Sequence, residues 1–568
     1  MKLSSPTFLS ALAVFIILIS CAENKAPDLI LTNGKVWLSA PDSFSEAIAI
    51  QGNKIITVGT TADIEKLAGK NTQVVDLSGK LVVPGFNDAH IHFLNGSIGL
   101  SEVQIAEAED LKEVISIIKT FAKNNPSRKW ITGRGWQYTM FPGGMPTKEF
   151  LDTLGIDLPI YLRAYDGHSA LANSSALEQA GVTRDYKFAA YGEVIRDAKG
   201  NPTGALTEDA QFIVGNKVPP LSREEKLEAL RKGMQLAASL GITSIQNAGD
   251  SRESFSLYED LFANNELTLR TSTAFSIDEY TTQEQIETYR RIKDSIPLNN
   301  YIRANAVKFM LDGVIESHTA GMLDHYSDLP PTNTQSKGSL SMPLEKYRGL
   351  VVALDKMHFQ IFTHSIGDLA VRETLNAYEY AQQQNGTADA RHRIEHIEMV
   401  SADDIPRFAA LGVLPSMQPI HAEPGTISVW AKAVGESRLP YAFAWASFLK
   451  GNAKLVFSSD WPACVSINPI RGLHTAVNRK KVDGNPPEGW VPEQRVSMQD
   501  ALYAYTFGGA YASHDEGVKG KIAPGYLADV IVLSQDLFEI DPLKTFETKV
   551  ELTIFEGKII YQIDKTMN

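Results

Sequence analysis

Short apolar runs bounded by Gly, Asn, Asp and Pro recur along the chain in two settings. At the start they follow one another through turn signals. Residues 28–38 (DLILTNGKVWL), 46–59 (EAIAIQGNKIITVG) and 72–85 (TQVVDLSGKLVVPG) carry Asn-Gly, Gly-Asn and Ser-Gly between apolar stretches, which is hairpin chemistry. The far end reads alike, at 528–536 (ADVIVLSQD) and 549–563 (KVELTIFEGKIIYQI). The pattern predicts one small β-sandwich domain made from both ends, 28–84 and 515–568, with a large domain, 85–514, placed between them.

Between the ends, strands alternate with helices. Apolar strand candidates fall at 80–92, 241–249, 269–276, 303–313, 358–367, 391–398, 412–419 and 454–462. The intervening stretches have helical spacing, as in 222–241 (SREEKLEALRKGMQLAASLG). Eight strands alternating with helices predict an α/β fold, a (β/α)8 TIM barrel, in which chemistry gathers at the C-terminal ends of the strands. The interval 93–221 is too long for one strand-to-helix connection. It holds its own strand candidates at 129–136 and 159–169 and a hairpin at 192–209, and is expected to lie over the barrel mouth and shape a substrate pocket.

Composition narrows the class. The chain has 568 residues, 43% of them hydrophobic and 21% charged, which is globular and not disordered. A net charge of −13 disfavours nucleic acid as a partner; a small molecule is expected, and oligomerisation stays open. Residues 1–20 read as a signal peptide: Lys2, then the apolar stretch 8–20, shorter than the roughly 20 residues a membrane span needs. Leu18-Ile19-Ser20 before Cys21 resembles a bacterial lipobox. That implies cleavage before Cys21, lipidation of its thiol, a tether over 21–27, and an exported protein lipid-anchored to a membrane of the bacterial cell envelope. The other cysteine is Cys464, so no intramolecular disulfide framework is expected.

The candidate chemistry sits where a barrel would gather it. The first barrel strand ends in His90 and His92, two residues apart and therefore on one face. The fourth carries Lys308, the fifth His364, the sixth His396 and the eighth Asp460. Imidazoles with a carboxylate suit zinc or a similar divalent ion. Four histidines and an aspartate exceed the three protein ligands of a typical single catalytic zinc, so two ions are expected. A protonated lysine offers no acceptor; carboxylated by CO2, Lys308 would become an anion able to bridge two cations.

FNDAHIH, VKFMLDG, IFTHSIGDLAV, RHRIEHIE and FSSDWP together resemble the amidohydrolase superfamily, its amidohydrolase 3 type, which includes N-substituted formamide deformylases. IAPGYLADVIVL (522–533) is similar to the return of such chains to their small β-domain. The resemblance covers nearly all of 28–568. It implies that His90, His92 and Asp460 bind one metal, that His364 and His396 bind a second, and that carboxylated Lys308 bridges them. It further implies that Asp460 takes a proton from the water bridging the metals and then gives it to the leaving nitrogen. His168, in DGHSALANSSAL, would donate to the substrate carbonyl oxygen.

Other residues are read two ways. His318 is a pocket candidate. Asp368 would orient a ligand or cap a helix. Trp130, Trp136, Tyr138 and Phe141 would form an apolar substrate wall or the insertion's own core. Arg134, Arg163 and Arg438 are candidate anion contacts among which the sequence does not choose. His421 could reach the site, but reads more simply as a satisfied polar residue. The expected activity is hydrolysis of a non-peptide C–N bond. The alternatives are lactones, carbamates or other esters at the same site, and, in another class, a non-catalytic anchored binding lipoprotein.

Overall fold

A computed structural model of the chain describes residues 25–564, except 107, 109, 127, 142–143, 165–168, 190–191, 298, 335, 425–426 and 465. The signal-peptide and Cys21 readings, and His168, lie outside the described residues. Among the described residues, no helix is long and apolar enough to cross a membrane.

Eight parallel strands form the central sheet: Phe86–Ile91, Ile242–Asp250, Arg270–Ile277, Ile302–Met310, Gln360–Ser365, Arg393–His396, Leu414–Met417 and Val456–Phe457, paired in that order. They are the eight strands the apolar runs predict. Just beyond the last strand the sheet closes on the first: Asp460 N donates to His90 O at 2.8 Å, and His92 N to Trp461 O at 2.9 Å. Closure removes the open edges that a parallel sheet would otherwise expose.

Helices follow the strands, and their starts are written locally. Ser222 and Glu225 form a capping box for Arg223–Ser239, and Thr282 and Gln285 do the same for Gln283–Ser295. The first of these helices buries Leu227, Leu230, Met234 and Ala237 against Phe93 and Ile245 of the barrel. Each such side chain contributes about 1.5–3 kcal/mol of burial.

The chain ends make two sheets. Lys54–Gly59, Ala47–Gln51, Leu29–Thr32 and Gln73–Asp76 form one. The other draws on both ends, in the order Lys558–Gln562, Val550–Phe555, Val530–Leu533, Leu81–Pro84, Lys35–Trp37 and Phe44–Ser45. Leu29, Ile48 and Ile55 of the first share a core with Val82, Val530 and Ile554 of the second, so the pair is a sandwich. Leu81–Pro84 runs through Gly85 directly into the first barrel strand. A side chain at Gly85 would overlap Thr243 of the second, which is why a glycine stands there. Arg270, buried, donates to Asp529 at 2.6 Å and also meets Glu556, fastening the barrel to the sandwich.

The long interval after the first barrel strand forms a six-stranded sheet of its own: Val194–Arg196, Pro202–Thr207, Ser169–Ala172, Ile160–Ala164, Ile131–Trp136 and Val103–Gln104. Trp136 and Phe141 lie in one of its cores and Trp130 in another. Trp136 Nε1 donates to Leu162 O at 2.9 Å, and Tyr138 Oη to Ser169 Oγ at 2.9 Å. These aromatics hold the insertion together.

Candidate metal centre

The strand ends converge on Asp460. His90 Nε2 lies 3.4 Å and His92 Nε2 3.2 Å from Asp460 Oδ1, and the three could hold a metal ion together. Lys308 Nζ stands 3.3 Å from His90 Nε2. The rings of His90 and His396 are 4.8 Å apart between centroids, and those of His364 and His396 4.4 Å. Residues up to 370 positions apart in sequence thus meet because each closes a neighbouring strand of one barrel.

The partners behind this group fix its orientation. Glu395 Oε2 accepts from His90 Nδ1 at 2.6 Å, which turns Nε2 toward Asp460 and Lys308. Glu395 Oε1 in turn accepts from Arg393 Nε at 2.8 Å, while Arg393 also donates to Gln246 Oε1 at 2.6 Å and Ala89 O at 2.7 Å and lies over the Phe362 ring. Burial opposes the charge on Glu395, but Arg393 and His90 outweigh it and bring its carboxyl down to about 2. On the other side, His396 Nδ1 lies 2.9 Å from Gln418 Oε1.

His421 is drawn in as well. Its Nε2 is 3.5 Å from Asp460 Oδ2 and its Nδ1 3.2 Å from Glu398 Oε1, while Glu398 Oε2 accepts from Trp430 Nε1 at 2.8 Å. His396, His421 and Asp460 make a second group able to hold an ion. The sequence reading of His421 as a plain polar residue is therefore too modest: the turn Pro419–Ala422 after the seventh strand carries it over the mouth. His364 is nearby, yet its Nε2 faces Gly313 O at 3.2 Å and Asp312 Oδ1 at 3.6 Å.

Electrostatics agree with the geometry. Burial, then the neighbouring Lys308 charge, bring His364 down to about 3, so its imidazole is neutral and its lone pair is available. His396 falls well below the usual range for the same first cause, with His364 next. Burial brings the Lys308 amine down to about 8 against the pull of Glu395 and Asp460. For Asp460, burial raises the carboxyl, but the neighbouring His421, His90 and His92 imidazoles prevail and hold it well below the usual carboxylate range. His421 is the reverse: burial lowers it, and Asp460 and Glu398 carry it well above the ordinary histidine value.

The donor set fits a divalent ion. Imidazoles, those of His364 and His396 kept neutral by burial, gather with an ionised carboxylate, and among the described residues Asp460 Oδ1 is sealed from solvent without a hydrogen-bond partner. The backbone is also bent to the purpose: His396, Ile397 and Asp460 have φ of 75°, 49° and 57°, a region non-glycine residues avoid.

The remaining candidates separate. Lys308 does not pair with Asp312, whose carboxylate instead accepts from the backbone of Gly321, Ile366 and Gly367 and joins two mouth loops. Asp368 accepts from Leu323 N at 2.8 Å and makes no side-chain cap for its helix. His318 pairs with Asp328 at 2.9 Å inside its own loop. Arg438 donates to Val434 O, His325 O and Ser327 Oγ. Arg134 and Arg163, by contrast, line a cavity of about 640 Å³ that His92 also borders. Glu395, Glu398 and Gln418 were missed as functional residues. Glu395 and Glu398 sit inside the strand-end motif RHRIEHIE, one residue before His396 and two after it, and that adjacency was the available signal.

Comparison with known proteins gives a coherent picture. The model of the amidohydrolase family matches residues 73–561. The chain is 31% identical to protein LONG AFTER FAR-RED 3 of Arabidopsis thaliana, over 94% of this chain and 91% of that one. It is 27% identical to an N-substituted formamide deformylase of Arthrobacter pascens, over 94% and 98%. Among solved structures, an uncharacterized metal-dependent hydrolase from Pyrococcus horikoshii OT3 superposes with a TM-score of 0.73 at 25% identity, covering 90% of this chain and 99% of that one.

Proposed function

The chain belongs to the amidohydrolase family, and on that premise we propose that it is a metal-dependent hydrolase cleaving the C–N bond of a non-peptide amide at the barrel mouth. The observation that carries the reading is the convergence of His90, His92, His396 and His421 on the one carboxylate of Asp460. The family resemblance to a formamide deformylase supports the choice of bond.

In this proposal His90, His92 and Asp460 hold one ion and His364 and His396 a second, with Lys308 between them. Bound divalent ions, zinc in the first instance, supply Lewis-acid polarisation of the scissile carbonyl and acidify a water. The chain's own groups do the rest. Glu395 keeps the His90 proton on Nδ1, so that Nε2 is free to ligate. Asp460 accepts the proton of the attacking water and returns it to the leaving nitrogen, giving an acid and an amine. His421, held by Glu398, is set against the Asp460 carboxylate. The lowered amine of Lys308 favours the neutral form that reacts with CO2, which supports carboxylation as part of the same reading.

The proposal extends to export and acylation at Cys21, testable by labelled fatty-acid incorporation into wild type and Cys21→Ser. The hydrolase reading is tested by a panel of amides run beside matched lactones, carbamates and esters. Turnover concentrated on amides supports it. Turnover confined to esters or lactones moves the bond, and metal-loaded protein inert to the whole panel removes the reading.

A further inference from the structure

Two apolar side chains are half exposed to nearly the same degree in very different places. Val74, 53% exposed, lies on an edge strand of the sandwich, where a single apolar residue in water is ordinary. Met310, 51% exposed, closes the fourth barrel strand, Ile302–Met310. It is paired in register with His364 of the fifth strand, and two residues before it Lys308 is paired with Phe362. Two before that, Ala306 meets Phe362 and Ala274 of the neighbouring strands. The alternate residues turn the other way: the Phe309 ring packs on Tyr347 of the following helix, with centroids 5.3 Å apart. Residues two apart on a strand share a face, so Ala306, Lys308 and Met310 all look into the barrel, with Met310 outermost. Half of its side chain is thus in water directly beside a histidine of the candidate centre.

The wall next to it is built from small residues. Ser276 of the third strand is exposed and stands in register with Lys308. Gly249 of the second strand comes so close that an added methyl would lie 3.2 Å from Ser276 Oγ and 3.7 Å from Lys308 Cγ, at a φ of 103° that side chains avoid. Glycine and serine on the second and third strands therefore flank Lys308 and leave Met310 to supply apolar surface on that side. The eighth strand lies across the barrel from the fourth, and past its end opens the cavity of about 640 Å³ whose lining includes Glu102, Gln104 and Arg163. The centre therefore has a polar side and an apolar side, and Met310 marks the apolar one.

We infer that Met310 is a specificity-determining residue of the hydrolase, the contact for an apolar group attached to the scissile amide. The inference rests on the proposed hydrolase function and names its substrate class: amides with an aliphatic or aromatic group on one side of the C–N bond. With the amide at Asp460, that group lies along the end of the fourth strand against Met310, and the contact takes apolar surface of both out of water. An unbranched, polarisable methionine adapts to aliphatic and aromatic groups alike.

The test uses the full chain loaded with zinc and two series of probes. One lengthens the acyl side, as the N-methyl amides of acetic, butyric and hexanoic acid; the other lengthens the amine side, as N-methyl-, N-propyl- and N-pentylacetamide. Hydrolysis, with kcat and KM read separately, and calorimetric binding are both measured, and bound metal is counted in every variant. In at least one series the wild type should gain about threefold in kcat/KM and in affinity per methylene, where a methylene taken wholly out of water is worth about fourfold. The series that shows the gain assigns the apolar group to the acyl or the amine side. The gain should fall to about 1.5-fold or less in Met310→Ser, return in Met310→Leu, and stay as in the wild type in Val74→Ser. Should Met310→Ser lose metal, Met310→Gln, of nearly the same length, takes its place in the comparison. The inference is overturned by a gain missing from both series in the wild type, by one unchanged when Met310 is made polar, or by one lost equally in Val74→Ser. If amides are hydrolysed without dependence on chain length, the hydrolase reading stands and this inference falls. If a series is bound with a gain that depends on Met310 but no amide is cut, the reverse holds.

Discussion

On the barrel side of His92, Arg393 is wholly buried and gives its hydrogen bonds to Glu395, Gln246 and Ala89 O. On the insertion side, Arg163 is exposed and stands in register with a second arginine. The same side chain does opposite jobs. Inside, a cation is tolerable because each nitrogen of Arg393 has an acceptor, and removing one partner would leave an uncompensated buried charge. That arrangement fixes His90 in one orientation. Outside, Arg163 is exposed, and water keeps the cost of its charge low. The contrast is between rigid, satisfied polar groups under the mouth, which hold the candidate centre, and a solvated cation on the insertion.

The comparison can be broken at its strongest point first. Asp460→Asn keeps the size of the side chain but removes the charge and the proton acceptor. Hydrolysis should fall by about 10³-fold or more at saturating metal, measured as kcat on whichever amide proves best. Activity within tenfold of wild type would mean that Asp460 is not the proton carrier.

Glu395→Gln comes next. It leaves Arg393 buried without a counter-charge and lets the His90 proton move. Metal affinity should drop by about 10–100-fold, and unfolding in denaturant at pH 7 should show a loss of about 3–5 kcal/mol. A variant of unchanged stability and metal affinity would refute the idea that the buried network positions His90.

A third test asks whether paired charge at the foot of the barrel behaves as it does beneath the mouth. Asp515 is buried; burial raises its carboxyl, but Lys519 and Arg303 outweigh that and lower it below the ordinary value. A carboxyl lowered on folding stabilises the fold above its unfolded-state value, near pH 4, and loses that contribution as pH falls through the folded-state value. Asp515→Asn should therefore cost about 1–3 kcal/mol at pH 7. The gap to wild type should narrow as the pH is lowered toward 3 in urea-melt series. A gap constant across pH would assign the loss to packing.

Much of this was legible in the sequence for a physical reason. Barrel strands are buried on both faces, so they appear as unbroken apolar runs, and a polar residue at the end of such a run stands out. His90, Lys308, His364, His396 and Asp460 all carry that signature. His421 does not, because it sits in a one-turn 3-10 segment after the seventh strand, where a polar residue is unremarkable. Glu395 lies within a strand, but a glutamate beside a known motif histidine has no periodicity of its own. The Arg134–Arg163 pair was hidden for a different reason. The two are 29 positions apart, and their adjacency depends on the register of two parallel strands, which apolar patterning alone does not specify. The aromatics of the insertion gave two readings because burial in a core and burial against a ligand use the same residues.

The most direct measurement is bound metal per chain, on the mature protein purified without chelator and with bicarbonate present, compared with Lys308→Met. The account predicts about two zinc-like ions in the wild type and about one in the variant. No bound ion in the wild type, even after zinc is added back, would contradict it.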